Sequence, residues 1–144
     1  MGTTKRIESL QDVQMYIADL RYTIRNGAKI NFQIDRKVDE GRDVRYTNRY
    51  TIATLFPNES PVDVLKRELL TLSEKDYICT VRDIRFPKRS EMRVFGKTYR
   101  ASDDVYIKIR VELIDRNCCG YPTTFVMSFH FAEIPFSDKD FPYR

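Results

Sequence analysis

The sequence is poor in the residues that most often carry metal and redox chemistry. It holds one histidine and three cysteines, Cys79, Cys118 and Cys119, an odd set with two members adjacent. That set supports neither a disulfide framework nor the C-x-x-C spacing of a zinc site. With no H-E-x-x-H and no tight acidic cluster, no metal centre is expected. The five glycines, Gly2, Gly27, Gly41, Gly96 and Gly120, are scattered and build neither a P-loop nor a dinucleotide fingerprint. No nucleotide cofactor, and no cofactor of any other kind, is therefore expected. No apolar run approaches the roughly 20 residues of a membrane helix. Residues 1–6 lead into a polar helix rather than an apolar signal core, so the expected location is cytoplasmic with no membrane partner.

What is present is core material and positive charge. The 144 residues suit one domain, and nine Phe with nine Tyr can fill its core. We expect a single domain over residues 1–144, with 1–8 allowed as a flexible N-terminal extension. A net charge of +4 and a pI near 9.0 favour a polyanionic partner.

Leu10, Val13, Ile17, Leu20 and Ile24 recur at helical spacing, with Ser9 and Asp12 as a capping box and Asn26-Gly27 as a left-handed stop. Residues 29–34 alternate Ile30, Phe32 and Ile34 against polar neighbours and read as a strand. The charged stretch 35–45 reads as a mobile surface loop, with a phosphate-binding loop as the alternative. Residues 50–56 fit either a strand or a helical turn. Ser60-Pro61-Val62-Asp63 starts a second helix that points Val62, Leu65, Leu69 and Leu72 inward and ends near Ser73.

From Thr80 onward the chain reads as strands. Val105, Ile107, Ile109, Val111 and Leu113 alternate with Tyr106, Lys108, Arg110 and Glu112. Phe125, Met127, Phe129 and Phe131 alternate with Thr124, Val126, Ser128 and His130, and the turn-rich stretch 115–122 between the runs predicts an antiparallel hairpin. Placing both apolar sets on one face sets Leu113 opposite Thr123, Ile109 opposite Met127, Ile107 opposite Phe129 and Val105 opposite Phe131. The polar face then brings Tyr106 across from His130 and Lys108 across from Ser128.

Residues 82–100 carry seven basic side chains, Arg82, Arg85, Lys88, Arg89, Arg93, Lys97 and Arg100, against Asp83 and Glu91, a net of +5. Phe86, Phe95 and Tyr99 are interleaved. Cations for phosphate beside rings for bases suit a single-stranded nucleic-acid surface. A solvated edge strand kept soluble by its charges has the same composition. Metal-free RNA cleavage needs a base for the 2′-hydroxyl proton, cations for the crowded phosphate and an acid for the departing 5′-oxygen. His130, Tyr106, Lys108 and nearby arginines contain each type, and an imidazole, with its ordinary pKa of about 6.5, is the natural proton carrier. The alternative is a histidine that merely decorates a sheet face.

Leu72-Ser73-Glu74-Lys75-Asp76-Tyr77, Met92-Arg93-Val94-Phe95-Gly96-Lys97, Val105-Tyr106-Ile107-Lys108-Ile109, Ser128-Phe129-His130, Ala132-Glu133-Ile134-Pro135 and Phe141-Pro142-Tyr143 together resemble the MqsR family of toxin-antitoxin toxins. The resemblance covers about residues 10–144. It implies an α+β, RelE-like fold, a small antiparallel sheet with helices on one face. It also implies metal-independent endoribonuclease activity on mRNA and neutralisation by a cognate antitoxin protein. Tyr106 matches the family's sheet tyrosine, His130 falls where the family has a basic residue, and Gly96 with Lys97 matches its Phe-Gly-Lys turn. The lysine that often follows the family's Asp-Tyr pair is absent here, with Arg82 as the substitute. The expected catalytic set is His130, Tyr106 and Lys108, with Arg82, Arg85, Arg89, Arg93 and Lys97 on RNA phosphates. A non-catalytic RNA- or ribonucleoprotein-binding module on the same fold is the alternative.

Overall fold

The structure, a computed structural model, describes residues 3–27, 29–35, 41–85, 91–112 and 123–144. Strand β1 (Thr3–Arg6) precedes helix α1 (Leu10–Arg25). Ser9 starts the helix by accepting the Asp12 amide at 3.1 Å, and Gly27, with a φ of +81°, ends it in the left-handed region. Val13, Ile17, Leu20 and Ile24 are buried as the spacing predicts, whereas Leu10, the first helical residue, is 42% exposed.

Strand β2 (Lys29–Phe32) is followed by helices α2 (Asn48–Leu55) and α3 (Pro61–Leu69). Of the ambiguous stretch 50–56, residues 50–55 are thus helix: Thr47 caps it by accepting the Tyr50 amide, and its buried side chains turn toward the sheet. In α3 the buried face is centred on Val64, Leu65 and Leu69, which leaves Val62 at its margin and exposed, and Ser60 makes no side-chain cap bond. After a turn closed reciprocally by Ser73 and Asp76 come β3 (Tyr77–Asp83), β4 (Met92–Tyr99), β5 (Asp103–Glu112) and β6 (Thr123–Phe131).

The protein is α+β, with an open six-stranded sheet in the order β1-β3-β4-β5-β6-β2. Four of its pairings are antiparallel, as expected, but β2 joins β6 in parallel. No hairpin links those two strands, so no tight turn forces them antiparallel. The core lies between α1, α3 and one sheet face, where Phe95, Ile107, Ile109 and Phe129 meet Val13, Leu20, Leu65 and Leu69. Gly96 lies inside β4 rather than in a turn, and β4 is an interior strand between β3 and β5.

Residues 3–6, for which the sequence allowed a flexible extension, pair with Arg6 opposite Thr80 and Thr3 opposite Asp83 on β3. The reason is Glu8, only 5% exposed. Its carboxylate accepts two bonds from the Arg93 guanidinium, at 2.8 and 2.9 Å, and one from the Thr80 hydroxyl. The Glu8 amide donates to the Tyr77 hydroxyl at 3.1 Å, and that hydroxyl donates to Thr80 at 2.7 Å, which closes a ring of bonds. From the other end of the chain Tyr143 donates its hydroxyl to the Glu8 carbonyl and stacks on Tyr77. Burial alone would raise the Glu8 pKa, but the bonds from Arg93 and Thr80 and the charges of Arg93 and Arg6 outweigh it and hold the carboxyl below its ordinary 4.5.

A carboxyl whose folded pKa lies below its unfolded value adds stability that is complete above that value and is lost as pH falls through the folded pKa. Acid unfolding followed by circular dichroism will therefore show stability declining below pH 4.5. Glu8→Gln will flatten part of that decline and lower stability at neutral pH by about 3 kcal/mol, because Arg93 is left without its counter-charge. An unchanged acid limb in this variant would show that Glu8 is not the group responsible.

Candidate functional site

On the face of the sheet turned away from α1, the candidate site is carried by β5 and β6. Tyr106 opposes His130 and Lys108 opposes Ser128, as the hairpin pattern predicts. The register then slips by one residue: Ile109 pairs with Val126 rather than Met127, and Arg110 pairs with Phe125. A bulge at this point turns the strand over. Val126 therefore goes into the core in place of the predicted Met127, and Phe125 joins the opposite face, where the Arg110 guanidinium lies 4.6 Å from its ring centre. Three cross-strand pairs, Tyr106–His130, Lys108–Ser128 and Arg110–Phe125, thus share one surface.

A depression of about 390 Å³ lies over the first two pairs. Tyr106, Lys108, Ser128 and His130 line it from the sheet, Ala132, Glu133, Ile134 and Phe136 from the segment after β6, and Arg42 from the segment after β2. The Tyr106 and His130 rings stack with centres 5.4 Å apart and planes 21° from parallel. His130 Nδ1 lies 3.0 Å from the Phe131 carbonyl oxygen. A carbonyl only accepts, so this contact puts the proton of the neutral ring on Nδ1 and the lone pair on Nε2. The Arg42 guanidinium lies 3.3 Å from the Glu133 carboxylate across the depression.

His130 is held through the backbone on either side of it. Among the described residues strand β2 pairs with β6 from Thr123 to Val126. Beyond that point α2 takes over: Asn48 donates to the Met127 carbonyl at 3.0 Å and accepts the Phe129 amide at 3.0 Å, and Thr51 accepts the Phe131 amide at 2.8 Å. Asn48 also donates to the Gln33 carbonyl at 2.7 Å, tying the end of β2 to the same point. The wall of the depression is anchored by Phe136, whose amide donates to Asp104 at 2.9 Å and whose ring lies directly over Gly96. The ring meets Phe141 edge-on at 5.5 Å.

The structure brings His130, Tyr106 and Lys108 together and leaves the expected phosphate contacts elsewhere. Arg93 and Lys97 pair with Ile109 and Val105 and so share the helix-side face. There Arg93 binds Glu8 and covers the Tyr16 ring at 4.5 Å, and Lys97 donates to Thr71. Arg82 is exposed on β3 beside β1, and Arg85 pairs with Asp83 at 3.0 Å. Arg89, like Cys118, Cys119 and the stretch 115–122, lies outside the described residues. Phe95 is core and Tyr99 donates to Glu68, so the described residues of 82–100 do not form one basic surface. Cys79 is buried, which pushes its thiol pKa up and keeps it neutral. Sequence reasoning missed Arg42, whose only signal was its place after Gly41 in the charged loop, and Arg110, which continues the alternation of Tyr106 and Lys108.

Among the described residues no group of three or more metal-ligating side chains converges, and no helix is long and apolar enough to cross a membrane. Compared with family models, with curated proteins and with solved structures, the chain gives no match. The site's chemistry is therefore argued from its groups. An imidazole able to exchange a proton, a phenol, an ammonium and a guanidinium surround one depression, a set able to hold an anion and move a proton beside it.

Two predictions concern the supports of this site. Asn48→Ala will lower stability by about 3 kcal/mol, since it strips partners from Met127 and Phe129, and Thr51→Val will cost about 1 to 2 kcal/mol. Hydrogen exchange will show the Phe129 and Phe131 amides losing protection first. Gly96→Ala would place a Cβ 2.6 Å from Phe136 Cε2, so it will destabilise the protein by about 1 to 3 kcal/mol. In a Phe136→Ala background that cost will largely disappear, and a double-mutant cycle in urea will measure the difference.

Proposed function

We propose that the protein is a metal-independent endoribonuclease of the MqsR-like toxin kind, cutting single-stranded mRNA through attack of a 2′-hydroxyl on the adjacent phosphate. The observation that supports this best is the stacked pair of His130 and Tyr106 on the floor of an open depression lined also by Lys108 and Arg42. In this reading the 2′-hydroxyl gives its proton to His130 Nε2 as the O2′–P bond forms. The P–O5′ bond breaks, and the departing 5′-oxygen takes a proton through the Tyr106 hydroxyl, which recovers it from solvent. Lys108 and Arg42 balance the charge on the phosphate, with Arg42 exchanging its half-exposed Glu133 partner for the substrate. The products are a 2′,3′-cyclic phosphate and a 5′-hydroxyl. A RelE-like ancestry of the sheet and a neutralising antitoxin partner belong to the same proposal.

A second reading keeps the RNA and drops the chemistry. The rings and cations along β5 and β6, Tyr106 and His130, Lys108, then Arg110 over Phe125, form a ladder that could bind single-stranded RNA without cutting it.

Incubating the protein with a labelled mixed-sequence mRNA in EDTA separates the two. Nuclease action predicts discrete cuts with cyclic phosphate ends, and His130→Ala will slow them by at least about 100-fold. Tyr106→Phe will retain more activity than Tyr106→Ala, because the ring still supports the imidazole. Intact RNA with a salt-sensitive mobility shift would establish the binding module instead.

A further inference from the structure

Among the described residues lining the His130 depression, Glu133 is the one acid, set against the cations Arg42 and Lys108. Its pair with Arg42, at 3.3 Å, is looser than the pairs that tie down the N-terminal strand, Arg93 on Glu8 at 2.8 Å and Arg6 on Glu91 at 2.6 Å. The two partners are also unequally placed. Arg42 is 22% exposed and belongs to the lining, whereas Glu133 is 53% exposed. A carboxylate that wet leaves the pair for water at little cost. The more shielded guanidinium gains from having an anion beside it, and its planar fork fits a phosphate as well as a carboxylate.

The backbone around Glu133 suits such an exchange. Ala132 donates its amide to the Asp104 carbonyl at 2.9 Å, and Phe136 donates its amide to the Asp104 carboxylate, also at 2.9 Å. These two bonds pin both ends of a short arch to one residue of β5. The three residues between them, Glu133, Ile134 and Pro135, are exposed. The carboxylate can therefore swing off Arg42 while Phe136 and the rest of the wall stay in place. Arg42 comes from a different stretch of chain, after β2, so the pair joins two segments at one depression.

We infer that Glu133 is a built-in competitor of the RNA phosphate and sets which ligands the depression admits. Its carboxylate holds Arg42 until a phosphodiester takes the guanidinium over. A neutral ligand breaks the pair and returns nothing to Arg42, whereas an RNA phosphate replaces one anion by another. The same contact works in reverse after cleavage, when Glu133 closes on Arg42 again as the cyclic phosphate product leaves. A ligand that must first open a pair binds more weakly in proportion to the closed fraction, and a half-exposed pair accounts for about a fivefold loss of affinity. The inference rests on the RNA reading of this depression and adds to it the rule by which Arg42 is shared.

The test uses the full chain with a fluorescent, fully 2′-O-methylated mixed-sequence RNA, which cannot be cut by its own 2′-hydroxyl, and parallel cleavage of the unmodified RNA in EDTA. Glu133→Gln keeps the size of the side chain, removes its charge and is expected to tighten binding about fivefold. Loss of any nearby acid favours a polyanion to some degree, so the decisive measurement is a double-mutant cycle with Arg42. Arg42→Ala weakens binding about tenfold. In that background Glu133→Gln changes affinity by less than about twofold, because the partner it competed for is gone. Asp63→Asn, which removes an equal charge from α3 on the other side of the sheet, leaves affinity unchanged. If Glu133→Gln tightens binding equally in both backgrounds, Glu133 acts only as a surface charge and the inference fails. Unchanged or weaker binding in Glu133→Gln overturns it too, and the nuclease reading stands if the wild-type protein still cuts. If the wild-type protein binds no RNA, both fall together.

Discussion

Strand β6 runs on past the end of its neighbour, and a strand with half an edge bare must find donors and acceptors elsewhere. Asn48 and Thr51 meet that need from a helix, with side-chain groups standing where a strand's backbone would stand. The consequence is that α2 is a functional continuation of the sheet. Its first turn sets the path of residues 127–131, and those residues carry the histidine to one side and Phe131 to the other. The segment that leads into α2 brings Arg42 to the depression over His130. The His130 depression therefore depends on a few hydrogen bonds at one strand edge.

The bulge in β6 acts with that edge. One extra residue allows the strand to give Val126 and Phe129 to the core and still present Phe125, Ser128 and His130 on the far face. A regular strand would commit every odd residue to one side. The two faces of the sheet consequently differ in kind. The helix side is apolar and closed, with its charges neutralised in place as in Glu8 and Arg93. The other side is partly covered by the segment after β6, with Cys79, Val94 and Phe141 buried outside the main core, and elsewhere exposes rings and cations.

Much of this was legible in the sequence where burial alternates regularly. Tyr106 opposite His130 and Lys108 opposite Ser128 followed from placing two apolar rows on one face, and α1 followed from its spacing and caps. The bulge was hidden because Phe125, Met127, Phe129 and Phe131 imitate an uninterrupted strand. Arg93 and Lys97 were misplaced because β4 buries Val94, Phe95 and Gly96 in succession, so alternation does not say which face its cations take. Their actual partners, Glu8 and Thr71, are 85 and 26 positions away. Asn48 reads as an ordinary polar residue at a helix start until the bare edge beside it is known.

The ring of bonds around Glu8 also sets an order of assembly. Tyr143 reaches it across 135 positions of sequence, and the segment between β6 and Tyr143 is the wall of the His130 hollow. Contacts so distant in sequence close late in folding. On a ribosome the hollow stays without its wall until the residues around Tyr143 have emerged from the exit tunnel. A chain still being synthesised thus carries its histidine on an unfinished surface until those residues have joined the sheet.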